Sequence, residues 1–365
     1  MANLFVVYTP LQLLIAQQIV RQEKLTNNLL LESYFVGHKH FLDIFELTKI
    51  ESCWDKTIIF DHNFAFWDFG GAKLLKNHSI IKKNYNEIKS ILVDNHVKNI
   101  YLADFQNQSC RFTDVLFTNQ GYNVIFFEEG YSHYIKRPGT IDDSISAKIK
   151  NFLIDTFYYL PIFHVKFAKW RSNPNRPYKG LPIYQRYSVI PGFHNEPYDK
   201  RLYCEPMVSE KLKSYLLANL NDNPLEKRVL LLSDPMTEVL RKQDRHYYFE
   251  ILKESLGQIK SDEVLFIKYH PRDKEADRKK TEELVSSLNI NFKVLSQEIN
   301  VPIEYYLQFF KFSRIFFFNT STYFYNGLLF PKTEFVKLLP VLHKKCLDNH
   351  VEHLEQMELL LDKMK

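Results

Sequence analysis

The sequence predicts an α/β protein built from two successive parallel sheets. Three observations carry this. Short, continuous apolar runs rich in Val, Ile, Leu and Phe recur along the chain, the pattern of strands buried on both faces. Helical stretches separate them, and strands alternating with helices imply a parallel sheet covered on both sides. A Pro- and Asn-rich stretch, Ser172–Pro197, divides the alternation into two halves.

The elements follow in order. Asn3–Tyr8 reads as a buried strand, and Pro10 opens a helix over Leu11–Arg21, where proline suits the first turn. Ser33–Val36, Thr57–Phe60, Asn99–Ala103 and Asn123–Phe127 are further strands, with helical stretches such as Ala72–Asn95 between them. Ile141–Ile190 is irregular, aromatic and basic. Between Lys148 and Tyr187 it holds eight Lys or Arg, ten aromatics and one acidic residue, Asp155. The alternation restarts after Asn221–Pro224. Strands at Arg228–Leu232, Val264–Tyr269, Asn291–Leu295 and Arg314–Phe318 are followed by helices at Thr237–Leu256, Lys274–Leu288, Pro302–Lys311 and after Ser321. The last 20 residues read as an amphipathic helix. Two Rossmann-like domains facing a cleft are expected, at residues 1–200 and 201–335, with a C-terminal helix (336–365) packing across them.

Composition narrows the function. The 365 residues are 45% apolar and 25% charged, an ordinary globular balance. Only 10 are Gly, and neither G-x-G-x-x-G nor G-x-x-x-x-G-K-[ST] occurs, so the dinucleotide fingerprint and the P-loop are absent. No G-x-S-x-G elbow and no H-E-x-x-H helix is present. Four dispersed cysteines form no C-x-x-C pair, which argues against a zinc ribbon and suits a reducing cytoplasm. A net charge of +5 is no nucleic-acid signature. Phe152–Ala168 is interrupted by Asp155, Pro161, His164 and Lys166, a poor spanning segment.

Ligands of parallel α/β sheets bind beyond the carboxyl ends of strands, so the residues that follow each strand matter most. They are Tyr8, Thr9 and Pro10; Glu128, Glu129 and Gly130; Ser233, Asp234 and Pro235; His270, Pro271 and Arg272; and Asn319, Thr320, Ser321 and Thr322. Adjacent Glu128 and Glu129 point to opposite faces of an extended chain, so only one can face a cleft. A carboxylate there could take a proton from a hydroxyl; a solvated turn is the plainer reading. His270, as imidazolium, could neutralise a departing phosphate. Asp234 could be a base or a helix cap. Thr320, Ser321 and Thr322 precede a helix, where hydroxyls and amides make an anion site or a simple cap.

These residues resemble the bacterial sialyltransferases of the GT-B type. Glu128-Glu129-Gly130 is similar to their acidic-acidic-Gly motif, His270-Pro271 to their His-Pro motif and Ser321-Thr322 to their Ser-Ser/Thr motif. The opening Thr9-Pro10-Leu11-Gln12 and the Pro302-Ile303-Glu304 element resemble glycosyltransferase family 52, the lipooligosaccharide sialyltransferases. The family 38 polysialyltransferases share the same three motifs. The resemblance covers about Asn3 to Phe330. It implies inverting, metal-independent transfer of sialic acid from CMP-sialic acid to a terminal sugar of a lipooligosaccharide or capsular glycan, with no cofactor. It assigns the acceptor to the N-terminal domain and CMP to the C-terminal one. No D-x-D triplet occurs, and the single phosphate of CMP can be met by a protein cation. In family 52 the base matches Asp234, displaced by one position against Pro235; in the polysialyltransferases it lies in the acidic motif, at Glu128 or Glu129; Glu238 is a third candidate. His270, Ser321 and Thr322 would hold the phosphate, with Thr9, Pro10, Gln12, Gly130, Ser233, Pro271, Glu304, Asn319 and Thr320 lining the substrate sites. A cytoplasmic protein touching the anionic inner membrane is expected. The other readings are a GT-B transferase with a different nucleotide sugar, and a non-catalytic glycan- or nucleotide-binding protein.

Overall fold

A computed structural model describes residues 1–63, 77–103, 121–128, 144–163, 183–189, 199–220, 226–235, 240, 242–270, 272–295, 301–325 and 333–346. The chain divides into two units, Met1–Tyr203 and Cys204–Lys365.

The first unit holds seven strands: β1 (Ala2–Val7), β2 (Asn28–Tyr34), β3 (Lys56–Asp61), β4 (Val97–Ala103), β5 (Asn123–Phe127), β6 (Ile183–Ser188) and β7 (Asp199–Arg201). They form one sheet in the order β3-β2-β1-β4-β5-β6-β7, with every neighbouring pair parallel. The central strand β1 is buried throughout, and β4 and β5 are buried over their carboxyl-terminal parts, which explains the apolar runs there. Helices α1 (Pro10–Gln22), α2 (Phe41–Thr48) and α3 (His78–Asp94) connect them. One face of the sheet packs Leu4, Val6, Leu31, Ile100, Leu102 and Phe126 against Ile81, Ile88 and Leu92 of α3. At the opposite ends of the strands a ladder of asparagines crosses the sheet. Asn123 Nδ2 donates to Asn99 Oδ1 (2.8 Å), Asn99 Nδ2 to Asn3 Oδ1 (2.8 Å), and Asn3 Nδ2 to Asn28 Oδ1 (3.0 Å).

The segment read as irregular is more regular than expected. Helix α4 (Ile145–Ile154) continues through a π-helical turn, Asp155–Tyr159, into Leu160–Phe163, and β6 and β7 extend the sheet. The sequence of β6, Ile-Tyr-Gln-Arg-Tyr-Ser, mixes polar and aromatic residues and lacks the apolar run that marks the central strands. The strand β2 also begins earlier than Ser33, and its Glu32 is buried beside Lys49.

The second unit holds α5 (Glu210–Leu220), β8 (Lys227–Leu232), α6 (Arg245–Leu256), β9 (Glu263–Lys268), α7 (Glu275–Ser287), β10 (Phe292–Val294), α8 (Ile303–Phe309), β11 (Arg314–Phe317), β12 (Glu334–Lys337) and α9 (Leu339–Lys345). Its sheet is parallel in the order β10-β9-β8-β11-β12. The direction of winding therefore reverses between β8 and β11, which creates a crevice at their carboxyl ends. Helix α6 begins at Arg245 after a turn at Lys242–Asp244; the expected start at Thr237 lies outside the described residues. The expected C-terminal helix over 336–365 is not found where the chain is described: residues 336–337 end β12 and Leu339–Lys345 form the short α9, while residues from 347 onward lie outside the described residues.

Candidate active site

The crevice between β8 and β11 gathers the strand-end residues of the second unit. Both strands run in register, with Leu232 opposite Phe317. Asp234 and Asn319 therefore emerge side by side, each two residues further on. The backbone N–H of Asn319 donates to Asp234 Oδ2 at 2.8 Å. Asp234 is 9% exposed. Burial lifts its carboxyl to about 7, and Asp273 nearby pushes in the same direction; the N–H groups of Asn319 and Phe318 and the charge of Arg272 oppose it.

His270 follows β9 and is half-buried. Its backbone N–H donates to Asp273 Oδ2 (2.8 Å), and the N–H of Arg272 donates to its Nδ1 (3.1 Å). An Nδ1 that accepts leaves the proton of the neutral ring on Nε2, so the ring presents an N–H donor from its far side. Asp273 is itself held by Ser233, whose hydroxyl is hydrogen-bonded with the Asp273 carboxylate and the Tyr248 phenol. Ser233 also donates its backbone N–H to Lys268 O (3.0 Å). The loop after β8 and the loop after β9 are thus tied into one body.

The loop after β11 is tied inward. Thr320 Oγ1 donates to Thr322 Oγ1 (3.0 Å), and Thr322 Oγ1 donates to Glu304 Oε1 (2.8 Å) on α8. Thr322 and Glu304 are buried, whereas Thr320 and Ser321 remain half-exposed. Burial raises the Glu304 carboxyl, with the Thr322 hydrogen bond and the Lys268 charge pulling the other way. Lys268, at the end of β9, is lowered to about 8 by burial despite Glu304 beside it. Its ammonium lies over the Tyr306 ring, 5.7 Å from the centroid. Residues Ser321–Tyr325 form a 3-10 helix, pinned by Tyr323 packing on Phe317 (5.3 Å) and Phe335 (5.4 Å).

In the first unit, Thr9 caps α1: its hydroxyl accepts from Gln12 N (3.3 Å), while Gln12 Oε1 accepts from Tyr8 N (2.6 Å). Pro10 occupies the first helical turn. This reciprocal arrangement resembles a capping box and accounts for the Thr-Pro-Leu-Gln spacing in local terms. Glu128 is fully buried beyond β5, where Oε2 accepts from Val189 N at 2.7 Å and its own N–H donates to Tyr187 O (3.1 Å). It joins the end of β5 to the end of β6. Glu129, Gly130, Glu238 and Pro271 lie outside the described residues.

The structure thus brings Ser233, Asp234, His270, Glu304, Asn319, Thr320, Ser321 and Thr322 to one end of the second sheet. Sequence reasoning missed Lys268, Asp273 and Tyr248. A lysine closing the apolar run Val264–Tyr269 was the available signal. Among the described residues, no group of three His, Cys, Asp or Glu could hold a metal ion, and no helix is long and apolar enough to cross a membrane.

In a parallel α/β protein, polar groups converging at a topological switch point mark a ligand-binding site. The chain belongs to the alpha-2,8-polysialyltransferase (POLYST) family, whose profile matches residues 3–338. It is a glycosyltransferase, made of the two parallel α/β units from which GT-B enzymes are built. Similar solved structures include the spinosyn rhamnosyltransferase SpnG complexed with thymidine diphosphate, at 12% identity and TM-score 0.45, covering 91% of this chain and 79% of that one. The UDP-GlcNAc 2-epimerase from Methanocaldococcus jannaschii aligns at 10% identity and TM-score 0.46 over 100% and 92% of the two chains. The glycosyltransferase SsfS6 of Streptomyces sp. SF2575 aligns at 8% identity and TM-score 0.42 over 100% and 96%. No curated protein matches the sequence. The matching profile is that of the polysialyltransferases; it does not by itself show the resemblance to family 52.

Proposed function

We propose that this glycosyltransferase moves sialic acid from CMP-sialic acid to a terminal sugar of a lipooligosaccharide or capsular glycan, with inversion and without a metal, in the cytoplasm. The observation that carries this reading is the β8–β11 crevice, where a carboxyl lifted to about 7, a histidine N–H and a hydroxyl stand together in a chain of the polysialyltransferase family.

The acceptor hydroxyl attacks the anomeric carbon as the bond to the CMP phosphate breaks. Negative charge grows on that phosphate, which leaves as CMP, and the hydroxyl proton passes to a carboxylate. His270 donates from Nε2 to the phosphate. Thr322 is committed inward to Glu304, so Ser321 is the hydroxyl of the Ser-Thr pair assigned to the same oxygen atoms. Asp234 is favoured as base by its position and by a basicity matched to neutral pH. Glu128 is occupied by Val189 N, so Glu129 is the member of the acidic pair to compare with it.

The deciding measurement is CMP release from CMP-sialic acid with galactoside and sialoside acceptors. Acceptor-dependent release is expected, and it should survive treatment with a chelator. Turnover of another nucleotide sugar in its place, or ligand binding with no release, would replace the proposal. Within it, His270→Ala should keep its fold and lose about 10²–10³ in kcat. Either Asp234→Asn or Glu129→Gln should bind CMP and fail to transfer; full transfer by both variants would remove both carboxylates from the mechanism.

A further inference from the structure

The helix α4 presents an exposed apolar strip that none of the described residues covers. No residue of α4 is buried. Ile145, Ile149, Phe152, Leu153 and Phe157 are all exposed, Phe152 at 63% and Phe157 at 58%. Their spacing of four, three, one and four residues places them on one side of a helix. Ile154 lies on the other side and packs against the core of the first unit. The helix is therefore held by one face and turns an apolar face outward. Lys148 and Lys150 are exposed and fall on the two flanks of that strip.

Single exposed apolar residues need no explanation, whereas a contiguous strip of large ones marks a contact surface. The flanking charge selects the partner. Of the eight basic residues between Lys148 and Tyr187, Arg186 is buried in β6; Lys148 and Lys150 border the strip, and Asp155 is the lone acidic residue of the segment. A two-fold contact between copies would bring like-charged flanks together. An apolar face between lysines is the design of a helix lying in a membrane interface, its rings at headgroup depth and its ammonium groups toward lipid phosphates. The helix does not meet the requirement for spanning.

We propose that α4 and the turn after it lie in the headgroup layer of an anionic phospholipid bilayer, with Phe152 and Phe157 as the inserted anchors. This goes beyond the donor reaction and does not depend on it. The attraction has two parts. The charge part is screened at high salt, with a Debye length of about 3 Å at 1 M; the apolar part is not.

The test is cosedimentation of the full chain with vesicles of phosphatidylglycerol and phosphatidylcholine, and with phosphatidylcholine alone. The wild type should bind the anionic vesicles at least about tenfold more tightly, and a residue of that binding should survive high salt. Phe152→Ser with Phe157→Ser should remove the salt-resistant part and lower affinity at least about tenfold, with circular dichroism and thermal unfolding unchanged. Lys148→Glu with Lys150→Glu should remove most of the salt-sensitive part. A separate variant, Phe157→Trp, keeps an aromatic ring in place and should gain quenching by brominated lipid over the wild-type background. Equal binding to both vesicle types, serine variants that bind like the wild type, or no gain in quenching would overturn the proposal. A wild-type dimer that the serine variants dissociate, with no vesicle binding, would make the strip a contact between copies and overturn it as well.

Discussion

Asp234 links chemistry and stability through one proton. Its carboxyl is lifted from 3.8 to about 7, chiefly by burial. Between these values the folded protein holds a proton that the unfolded chain has released. Stability from this group is therefore fully present below about pH 4 and is lost as pH rises toward 7, by about 1.4 kcal/mol for each pH unit crossed in that interval. A base must be unprotonated, so transfer should climb over the range in which stability declines. Unfolding temperature and kcat/KM measured from pH 5 to 8 should move in opposite directions. Asp234→Asn should flatten this residue's share of the stability slope; an unchanged slope would show that the carboxyl is not lifted. Asp234 and His270 were legible as the polar residues ending apolar runs. The Tyr248–Ser233–Asp273 linkage was not, because it joins residues that only the sheet brings together. The Arg272 N–H that donates to the His270 ring was not legible either, because it depends on how the loop after β9 turns.

Among the elements, the 3-10 helix Ser321–Tyr325 depends on α8 for its position. Thr320, Thr322 and Glu304 form one hydrogen-bonded series, and the charges of Glu304 and the buried Lys268 attract each other. Removing Glu304 takes away the carboxylate that offsets a buried ammonium, which typically costs about 3–5 kcal/mol. Thr322→Val should cost less, about 1–3 kcal/mol, through the unmet Glu304 oxygen. Glu304→Gln preserves an acceptor for Thr322 and removes only the charge. Denaturant unfolding should thus rank Glu304→Ala as the most damaging of the three, and a silent Glu304→Ala would dissolve the link to Lys268. The Pro-x-Glu element was legible as a motif, but its partner in the loop beyond β11 was not. Elements were most legible where strands are covered on both sides, as at Asn123–Phe127, whose limits match the expected ones. Strands β6 and β7 escaped notice because they sit toward an edge, where polar residues interrupt the apolar pattern.

Across the whole molecule, two parallel sheets carry different loads. The second sheet ends in the polar groups assigned to CMP, and the described strand ends of the first are occupied by a helix cap and a buried carboxylate. Hydrogen exchange with and without CMP should show slower exchange at Ser233, Asp234, His270 and Asn319–Thr322, and little change in β1–β5. Protection confined to the first unit would reverse the assignment of the donor. The division near Tyr203 falls after the Pro- and Asn-rich stretch Ser172–Pro197, which carries β6 and belongs to the first unit; polar residues in β6 hid that strand and made the stretch read as a connection. The asparagine ladder bears on how the first unit assembles. Its four members come from positions 3, 28, 99 and 123, and each amide that donates within it does so in the same direction across the sheet. A strand docked one residue out of step would turn its amide to the opposite face, among apolar side chains, with its former neighbour left unmatched. Four interchangeable apolar ribbons could align in many ways with similar gain. The ladder makes the misaligned versions costly, so it acts as a proofreading device during folding, rejecting errors that greasy surfaces alone would accept.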